Sequence, residues 1–501
     1  MSTPSMHAPL TITLSTTLSC LLVLLAPLLP ASEQAEPPAW LQPLFQAAAE
    51  PLRQRPEVAA EQLEGQRAQL AIAQEESAWN PRFHADASGA LSEDRPNNST
   101  ELGGSNRVIR SDDVRLELGI SQPLSSGTTI NLQAISARET NNRANAVLRE
   151  SWVSRIRLNL TQELLRGGSA SINRAAVSQA RSDLLAVEDA LQAAIADAFR
   201  GLSEDWLEHA RAQHRLAHAQ EQLAHAQSGL ELARARLEVG LSSRLEVLSR
   251  ERDLVEQEAS VARLQRAQDA AANRFQRHWQ GDEIPPLESF SASPLPKTSN
   301  GIGFADTRSG RDSERAQERI QRSLEQALDR GRDSLTARAG VGLFAREDGF
   351  DSSWDRLSER ETFELSAGLR YERILGSSRD RLEQERARLA QRQARLQAMR
   401  QERDWLLERD ERERAWFDAE SEVHERQRIR DAVSEERDLI QGEFAEGSAG
   451  IRDLLEADQR LRSAEQAVIT ARFNVLIAEL RWRAHVDALP LPLVEGTHVQ
   501  P

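Results

Sequence analysis

The sequence predicts an α+β chain in which long antiparallel α-helices of coiled-coil type alternate with short groups of β-strands, arranged as two tandem structural repeats. Three observations predict it. Ile172–Val239 and Gly376–Glu446 run 68 and 71 residues without a proline and carry helical periodicity. Between shorter helical stretches and these long ones the apolar period drops from 3.6 to 2. Residues 240–248 (GLSSRLEVL) align without gaps on 447–455 (GSAGIRDLL), an offset of 207 that places Glu246 on Asp453, Leu254 on Leu461 and Glu258 on Glu465.

Taken in chain order, residues 1–31 read as a secretory signal. Positions 8–31 carry no charge, and the apolar run Leu18–Pro30 is too short and too interrupted by Pro27 and Pro30 to span a bilayer as a helix. The single cysteine, Cys20, lies inside this run, so a processed chain would have neither thiol nor disulfide. Acylation at Cys20 is disfavoured, because cleavage there would expose Leu21–Pro30.

The first repeat, 32–280, reads as a helix near 41–79, a group of strands, the first long helix, a glycine-containing turn and a helix near 247–280. In its long helix Leu216, Ala219, Leu223, Ala226, Leu230, Ala233 and Leu237 alternate at spacings of three and four, a seam whose alanines allow close approach of a partner helix. A Pro-, Ser- and Gly-rich linker, 281–310, leads to the second repeat, 311–487, with short helices near 311–337 and 452–487 around the second long helix; 488–501 is a tail. In the second long helix Leu382, Leu389 and Leu396 recur every seven residues. In each repeat the two short helices together roughly match the long one, so they can stack end to end beside it.

The strands alternate one apolar and one polar face. Val114, Leu116, Leu118 and Ile120 interleave with Arg115, Glu117, Gly119 and Ser121; Ile156, Leu158 and Leu160 with Arg155, Arg157 and Asn159; Phe363, Leu365, Ala367, Leu369 and Tyr371 with Glu364, Ser366, Gly368 and Arg370. Phe83 and Phe344 fall in further strand-like stretches. A soluble sandwich gives this pattern, and so does a transmembrane β-barrel with lipid outside and water inside. The export signal and the long helices favour the barrel, with Trp79, Trp152, Trp354 and Tyr371 near strand ends suited to an interfacial girdle.

Composition narrows the function. With 28% charged residues the chain is no polytopic helix bundle, and at a net charge of −15, with acids and bases interleaved, no nucleic acid is expected as a partner. Aromatics at 4% are thin for a compact core and ordinary for long Ala- and Leu-packed helices. The sequence has no P-loop, no HExxH, no dinucleotide-binding turn and no nucleophile elbow, so neither an enzyme nor a cofactor is expected. His209, His214, His218 and His225 raise a metal reading, but His214, His218 and His225 fall opposite the Leu216/Ala219 seam, on a face expected to meet solvent or lumen.

Five segments carry a resemblance: Arg55-Pro-Glu-Val58 before the first helix, Trp79-Asn-Pro-Arg-Phe83 at the helix-to-strand step, Leu158–Gly167 (LNLTQELLRG) at the strand-to-helix step, and the turns beginning at Val239-Gly240 and Glu446-Gly447. In these, in their order and in its duplication, the chain resembles the outer-membrane efflux protein family, the TolC-like exit ducts, over nearly all of the mature sequence. The resemblance implies a homotrimer whose strands share one barrel in outer-membrane lipid and whose helices form a periplasmic tunnel. It further implies a periplasmic adaptor and an inner-membrane transporter docking at the tunnel's narrow end. One chain's strands are too few to close a barrel, and sharing it among copies removes open edges from lipid. The family pattern has two strands per half, whereas the first half here carries an extra hairpin near 113–121 and 128–138. Either the barrel exceeds twelve strands or a hairpin lies outside it.

The resemblance also places an acidic ring at the gate. Asp453 and Glu456, three apart at a helix start, match the acidic positions that line the narrowest point, and Glu246 is the corresponding acid of the first turn. An acid in a helix's first turn is also favoured by free N–H groups and the helix dipole, so a purely capping role stands beside the gate role. Gly240, Leu241, Gly447 and Leu454 mark the tip turns and a possible adaptor contact. Where the family's polar latch would sit, this chain has Phe444 and Ala449, which predicts a different or looser closed-state lock. The competing reading is a periplasmic coiled-coil scaffold without a pore; an intracellular nucleic-acid-associated coiled coil would require the apolar leader to be retained.

Overall fold

A computed structural model of the chain describes residues 37–95, 108–142, 147–279, 302–359, 362–373 and 378–492, with isolated positions between 281 and 292 and the pair 375–376. The expected signal with Cys20, part of the linker and the end of the tail lie outside the described residues.

Among the described residues the chain is helix-rich with one antiparallel sheet. Its helices are α1 (Gln42–Ala47), α2 (Ala49–Arg53), α3 (Pro56–Glu76), α4 (Ala170–Asn173), α5 (Ala175–Glu238), α6 (Arg244–Gln276), α7 (Arg308–Arg330), α8 (Phe350–Ser358), α9 (Ser378–Glu446) and α10 (Ile451–His485). Its strands are β1 (Arg82–Asp94), β2 (Ile109–Pro123), β3 (Thr128–Asn141), β4 (Glu150–Glu163), β5 (Ser334–Glu347) and β6 (Phe363–Glu372). They form one six-stranded sheet in the order β1-β2-β3-β4-β5-β6, every neighbouring pair antiparallel.

At 1.5 Å per residue α5 and α9 are each about 100 Å long. α3 and α6 both pack along α5, while α7 and α10 both pack along α9, so short helices lie beside each long one as the length matching anticipates. Two boundaries differ from expectation. The first helix is broken at Ala48 into α1 and α2, and again before α3, where Pro56 forces Arg55 into extended backbone (φ −71°, ψ 131°) and α3 restarts with proline at its first position. The helix expected to reach 337 stops at Arg330, and Ser334 opens β5, where pairing with β6 begins at Ser334↔Glu372.

The sparse aromatics are concentrated rather than scattered. A belt halfway along the helices buries Trp40, Leu41, Leu44 and Leu52 against Phe199, Leu202, Trp206 and Leu207 of α5, Phe275 and Trp279, and Phe473, Leu476 and Leu480 of α10. A neighbouring cluster joins Trp405 and Trp416 of α9 to Val475 and Trp482 of α10. Six of the nine tryptophans therefore sit in the belt, while Trp79 and Trp152 lie at strand ends and Trp354 on α8. The linker region contributes too: Ile284, Leu287, Ala292, Ile302 and Phe304 pack on the belt, so its few apolar side chains are used.

Below the sheet, α7 is tied to α5 by a ladder of arginines at helical spacing. Arg311 contacts Asp189 at 2.7 Å, Arg315 contacts the same carboxylate, Arg319 contacts Asp183 at 2.7 Å, and Arg322 donates to Gln179 at 3.2 Å. Burial opposes ionisation of Asp189, but hydrogen bonds and charge from Arg311 and Arg315 outweigh it and hold the carboxyl below its usual value. Its contribution to stability is therefore complete above the normal carboxylate range and is lost as pH falls through the lowered value. Asp189→Asn should cost roughly 1–3 kcal/mol at pH 7. Thermal unfolding of the detergent-solubilised protein should show the gap between variant and wild type closing as pH is lowered below the normal carboxylate range; a gap independent of pH would assign the loss to packing.

Candidate functional site

The sheet separates its side chains into two faces that persist across all six strands. Following the backbone pairing, Phe83, Ile120, Leu132, Leu158, Val341 and Leu365 form one continuous row from β1 to β6. Every member is exposed, from 36% for Leu158 to 77% for Leu365. A second row on the same face runs Ala85, Leu118, Ala134, Ile156, Leu343, Phe363. One residue along, the side chains point the other way and the rows turn polar: His84, Gly119, Gln133, Arg157, Gly342, Glu364, and then Arg82, Ser121, Asn131, Asn159, Gly340, Ser366. This face is laced together. Arg115 and Gln133 donate to Glu117 at 2.8 and 2.9 Å, Asn159 donates to Gln133, and Arg157 pairs with Glu364 at 2.7 Å.

An apolar face this large and this open needs an apolar environment. Aromatics mark both of its margins. Trp79 precedes β1 and Tyr371 ends β6 on the helix side; at the far end Trp152 meets Phe350 edge-on at 5.3 Å, and Phe350 meets Trp354 at 6.4 Å. α8, which carries Phe350 and Trp354, lies on the apolar face over β4 and β5, where Ser353 is hydrogen-bonded to Ser154 at 2.7 Å. The sheet's outer strands, β1 and β6, are not paired with each other.

The opposite end of the molecule is built by two helix hairpins. α5 turns into α6 through Gly240 (φ +78°), and α9 into α10 through Gly447 (φ +77°); both backbones are left-handed, where a Cβ is strained. Ser243 caps α6 by accepting the Glu246 N–H, and the Glu246 carboxylate accepts from Ser242 at 2.6 Å. Asp453 is exposed, and its carboxylate accepts the Gly450 N–H at 3.0 Å, closing the start of α10. Glu456 is exposed and paired along its own helix with Arg452 at 3.1 Å. Leu241 projects from its turn at 79% exposure. Leu454 does not: it is buried and faces the groove between the hairpins.

That groove, about 430 Å³, holds a charge network that joins the two hairpins. Asp458 of α10 is 3.1 Å from Arg437 of α9 and 4.0 Å from Arg250 of α6. Arg462 lies 3.7 Å from Asp253, and Glu465 lies 3.2 Å from His218 of α5. Arg236 sits over the Phe444 ring at 5.8 Å. Apart from Phe444, His218 and, in the repeat alignment, Glu465, sequence reading did not single these residues out; the available signal was Asp458, Arg462 and Glu465 at spacings of four and three on the face that also carries Leu454 and Leu461. The exposed face expected for His218 is corrected: only 12% of its side chain is exposed, because α10 covers it and Glu465 faces it. His209 is buried, and that burial holds it below the usual imidazole value, while His214 lies exposed as expected. No cluster of metal-ligating side chains is present among the described residues.

Residues 129–279, under a third of the chain, match the family model described as outer membrane efflux protein. No curated protein sequence matches. Several solved channel structures share the fold. CusC aligns with a TM-score of 0.61 at 13% identity, over 89% of this chain and 92% of its own. The outer membrane channel MtrE of Neisseria gonorrhoeae aligns with a TM-score of 0.60 at 15% identity, over 90% and 91%. CmeC of Campylobacter jejuni, also an outer membrane channel, aligns with a TM-score of 0.59 at 12% identity, over 91% and 89%. At these identities the likeness is one of fold.

Proposed function

We propose that this chain is the outer-membrane channel of a tripartite efflux or type I secretion system, a passive exit duct for substrates that an inner-membrane transporter delivers through a periplasmic adaptor. The observation that carries the reading is the sheet: an exposed apolar face across six strands, backed by an ion-paired polar face, continuous with helices about 100 Å long. Lipid satisfies the first face and a water-filled lumen the second. The scaffold reading leaves the apolar face in water.

Three copies close the assembly, each supplying two tandem structural repeats. Open sheet edges are costly in lipid, so β6 of one copy pairs with β1 of the next. The helical part offers a matching seam: Leu63 and Leu70 on α3, and Leu382, Leu389 and Leu396 on α9, are exposed, spaced by seven, and carried by the two outer helices of the sequence α3, α5, α7, α9. The helices stand in the periplasm, and the exposed tips at Gly240, Leu241 and Gly447 meet the adaptor. Expression in a Gram-negative host followed by membrane fractionation and light scattering of the detergent-extracted protein tests this. A trimer in the outer-membrane fraction is expected; a soluble monomer or dimer would overturn the reading.

At the gate, Asp453 and Glu456 from three copies form a carboxylate ring that favours cations. The Asp453 carboxylate also caps its helix, and one substitution separates the roles: Asp453→Asn keeps an acceptor for the Gly450 N–H and removes the charge. It should lower cation preference in planar-bilayer recordings about as far as Asp453→Ala does; selectivity lost only in the alanine variant would make the residue a cap. The Arg250–Asp458–Arg437 bridge serves as the closed-state lock in place of the family's latch. Asp458→Ala should raise resting conductance several-fold, because it frees α6 and α9 from α10 together; unchanged conductance would remove the lock from the gate.

A further inference from the structure

The resemblance to TolC-like ducts implies a barrel of twelve strands, four from each copy. We propose instead that all six strands of each copy stand in the membrane, the β2–β3 hairpin included, so that three copies close an eighteen-stranded barrel with an exit wider than the family pattern. The inference rests on the duct reading above.

Three features of the hairpin carry it. The hairpin is inserted between β1 and β4, with the pairing complete on both sides: Arg82–Asp94 against Ile109–Ser121, and Thr128–Thr140 against Glu150–Gln162. It cannot lie outside the barrel unless both ladders break. Its faces match those of its neighbours in the four rows that cross all six strands. Ile120 and Leu132 bridge Phe83 to Leu158, and Leu118 and Ala134 bridge Ala85 to Ile156, while on the polar side Glu117 and Gln133 continue the network into Asn159. A hairpin lying on the surface or plugging the lumen would have no reason to keep both faces in register with the membrane strands.

The hairpin is also anchored at the helix side. Its turn runs through Gly127 (φ +77°), whose carbonyl accepts the Glu163 N–H at 3.0 Å, and Asn173 of α4 donates to the Ser125 carbonyl at 3.1 Å and to that of Gly167 at 2.8 Å. The turn is therefore fastened where β4 passes into the helices, at the level where the other strands leave the membrane. At 14 or 15 residues, β2 and β3 are as long as β4 and β5, and longer than the roughly 9–11 residues a tilted strand needs to cross a bilayer.

Barrel diameter grows roughly linearly with strand number, so eighteen strands widen the barrel about 1.5-fold over twelve and its cross-section about twofold. With strands roughly 4.8 Å apart and tilted by about 40°, the backbone diameter rises from about 24 to about 36 Å. The helical gate, and not the outer-membrane exit, then bounds what leaves.

Cryo-electron microscopy of the full chain in lipid nanodiscs counts the strands directly at the level of Leu118, with eighteen expected. Single cysteines placed in a Cys20→Ser background give an independent readout. A bimane label at Leu118→Cys should be quenched by brominated lipid, and one at Glu117→Cys by aqueous iodide alone. A trimer with twelve membrane strands and a Leu118→Cys label open to iodide would overturn the inference and leave the duct standing. Failure to form a membrane-inserted trimer at all would overturn both.

Discussion

Leu365→Arg should prevent the protein from accumulating in the outer membrane, while Ser366→Arg, one residue away on the same strand, should leave it there. The two positions differ only in face. Leu365 is 77% exposed at the end of the apolar row, and Ser366 closes a polar row with Asn159 and Gly340. An arginine on the lipid face near the middle of the bilayer costs about 2–4 kcal/mol, and a closed trimer takes that cost three times; on the lumen face the guanidinium stays hydrated. The sign of the result separates the two readings of the sheet. In a soluble scaffold Leu365→Arg would replace an exposed apolar side chain by a charged one, with little cost and a gain in solubility. Heat-modifiable migration and outer-membrane yield of the two variants measure the difference, and equal yields would remove the sheet from the membrane.

Most of this sheet was legible in the sequence because its information is local. A period of two needs only neighbouring residues, so Val114–Ile120 and Phe363–Tyr371 declare their faces without knowledge of a partner. The extra hairpin was visible for the same reason. Its place between β1 and β4 was not, since strand order is fixed by pairing between distant segments. The helix seams follow the same division. The Leu216-to-Leu237 pattern marks a covered face, and Leu216, Ala219, Ala226, Leu230 and Ala233 are buried; Leu382, Leu389 and Leu396 show the same spacing yet remain exposed within one chain. Periodicity reports that a face is apolar and not which partner covers it. The hairpin network was illegible for a further reason. Asp458 meets Arg437 and Arg250, and Arg462 meets Asp253, across helices far apart in sequence, and in a chain whose helices are already dense with Arg and Glu these positions do not stand out. His218 was misplaced because helical phase relative to the α6 side of α5 says nothing about α10, which covers it.

The belt supplies the second large effect. Glu479 of α10 is fully buried, accepts the Trp40 indole N–H at 2.9 Å and pairs with Arg483 at 2.9 Å. Nothing in the local sequence distinguishes it from the many surface acids of the helices, yet it fastens the segment entering α1 to the C-terminal part of α10, where Phe473, Leu476 and Leu480 pack. A carboxylate is tolerated there because both a cation and a neutral donor reach it. Glu479→Ala removes one member of a buried pair and leaves the mostly buried Arg483 charge without that partner, so it should destabilise the protein by about 3–5 kcal/mol. Glu479→Gln keeps an acceptor and should cost less, and Trp40→Phe, which loses only the neutral hydrogen bond while keeping an aromatic ring, should cost about 1 kcal/mol. Thermal unfolding in detergent would rank the three, with limited trypsin digestion following release of the α1 segment. If Glu479→Ala and Trp40→Phe were equally mild, the ion pair with Arg483 would be incidental and the belt would owe its stability to apolar packing alone. A large coupling in the Trp40/Glu479 double-mutant cycle would instead show that the chain's entry segment and α10 hold each other in place.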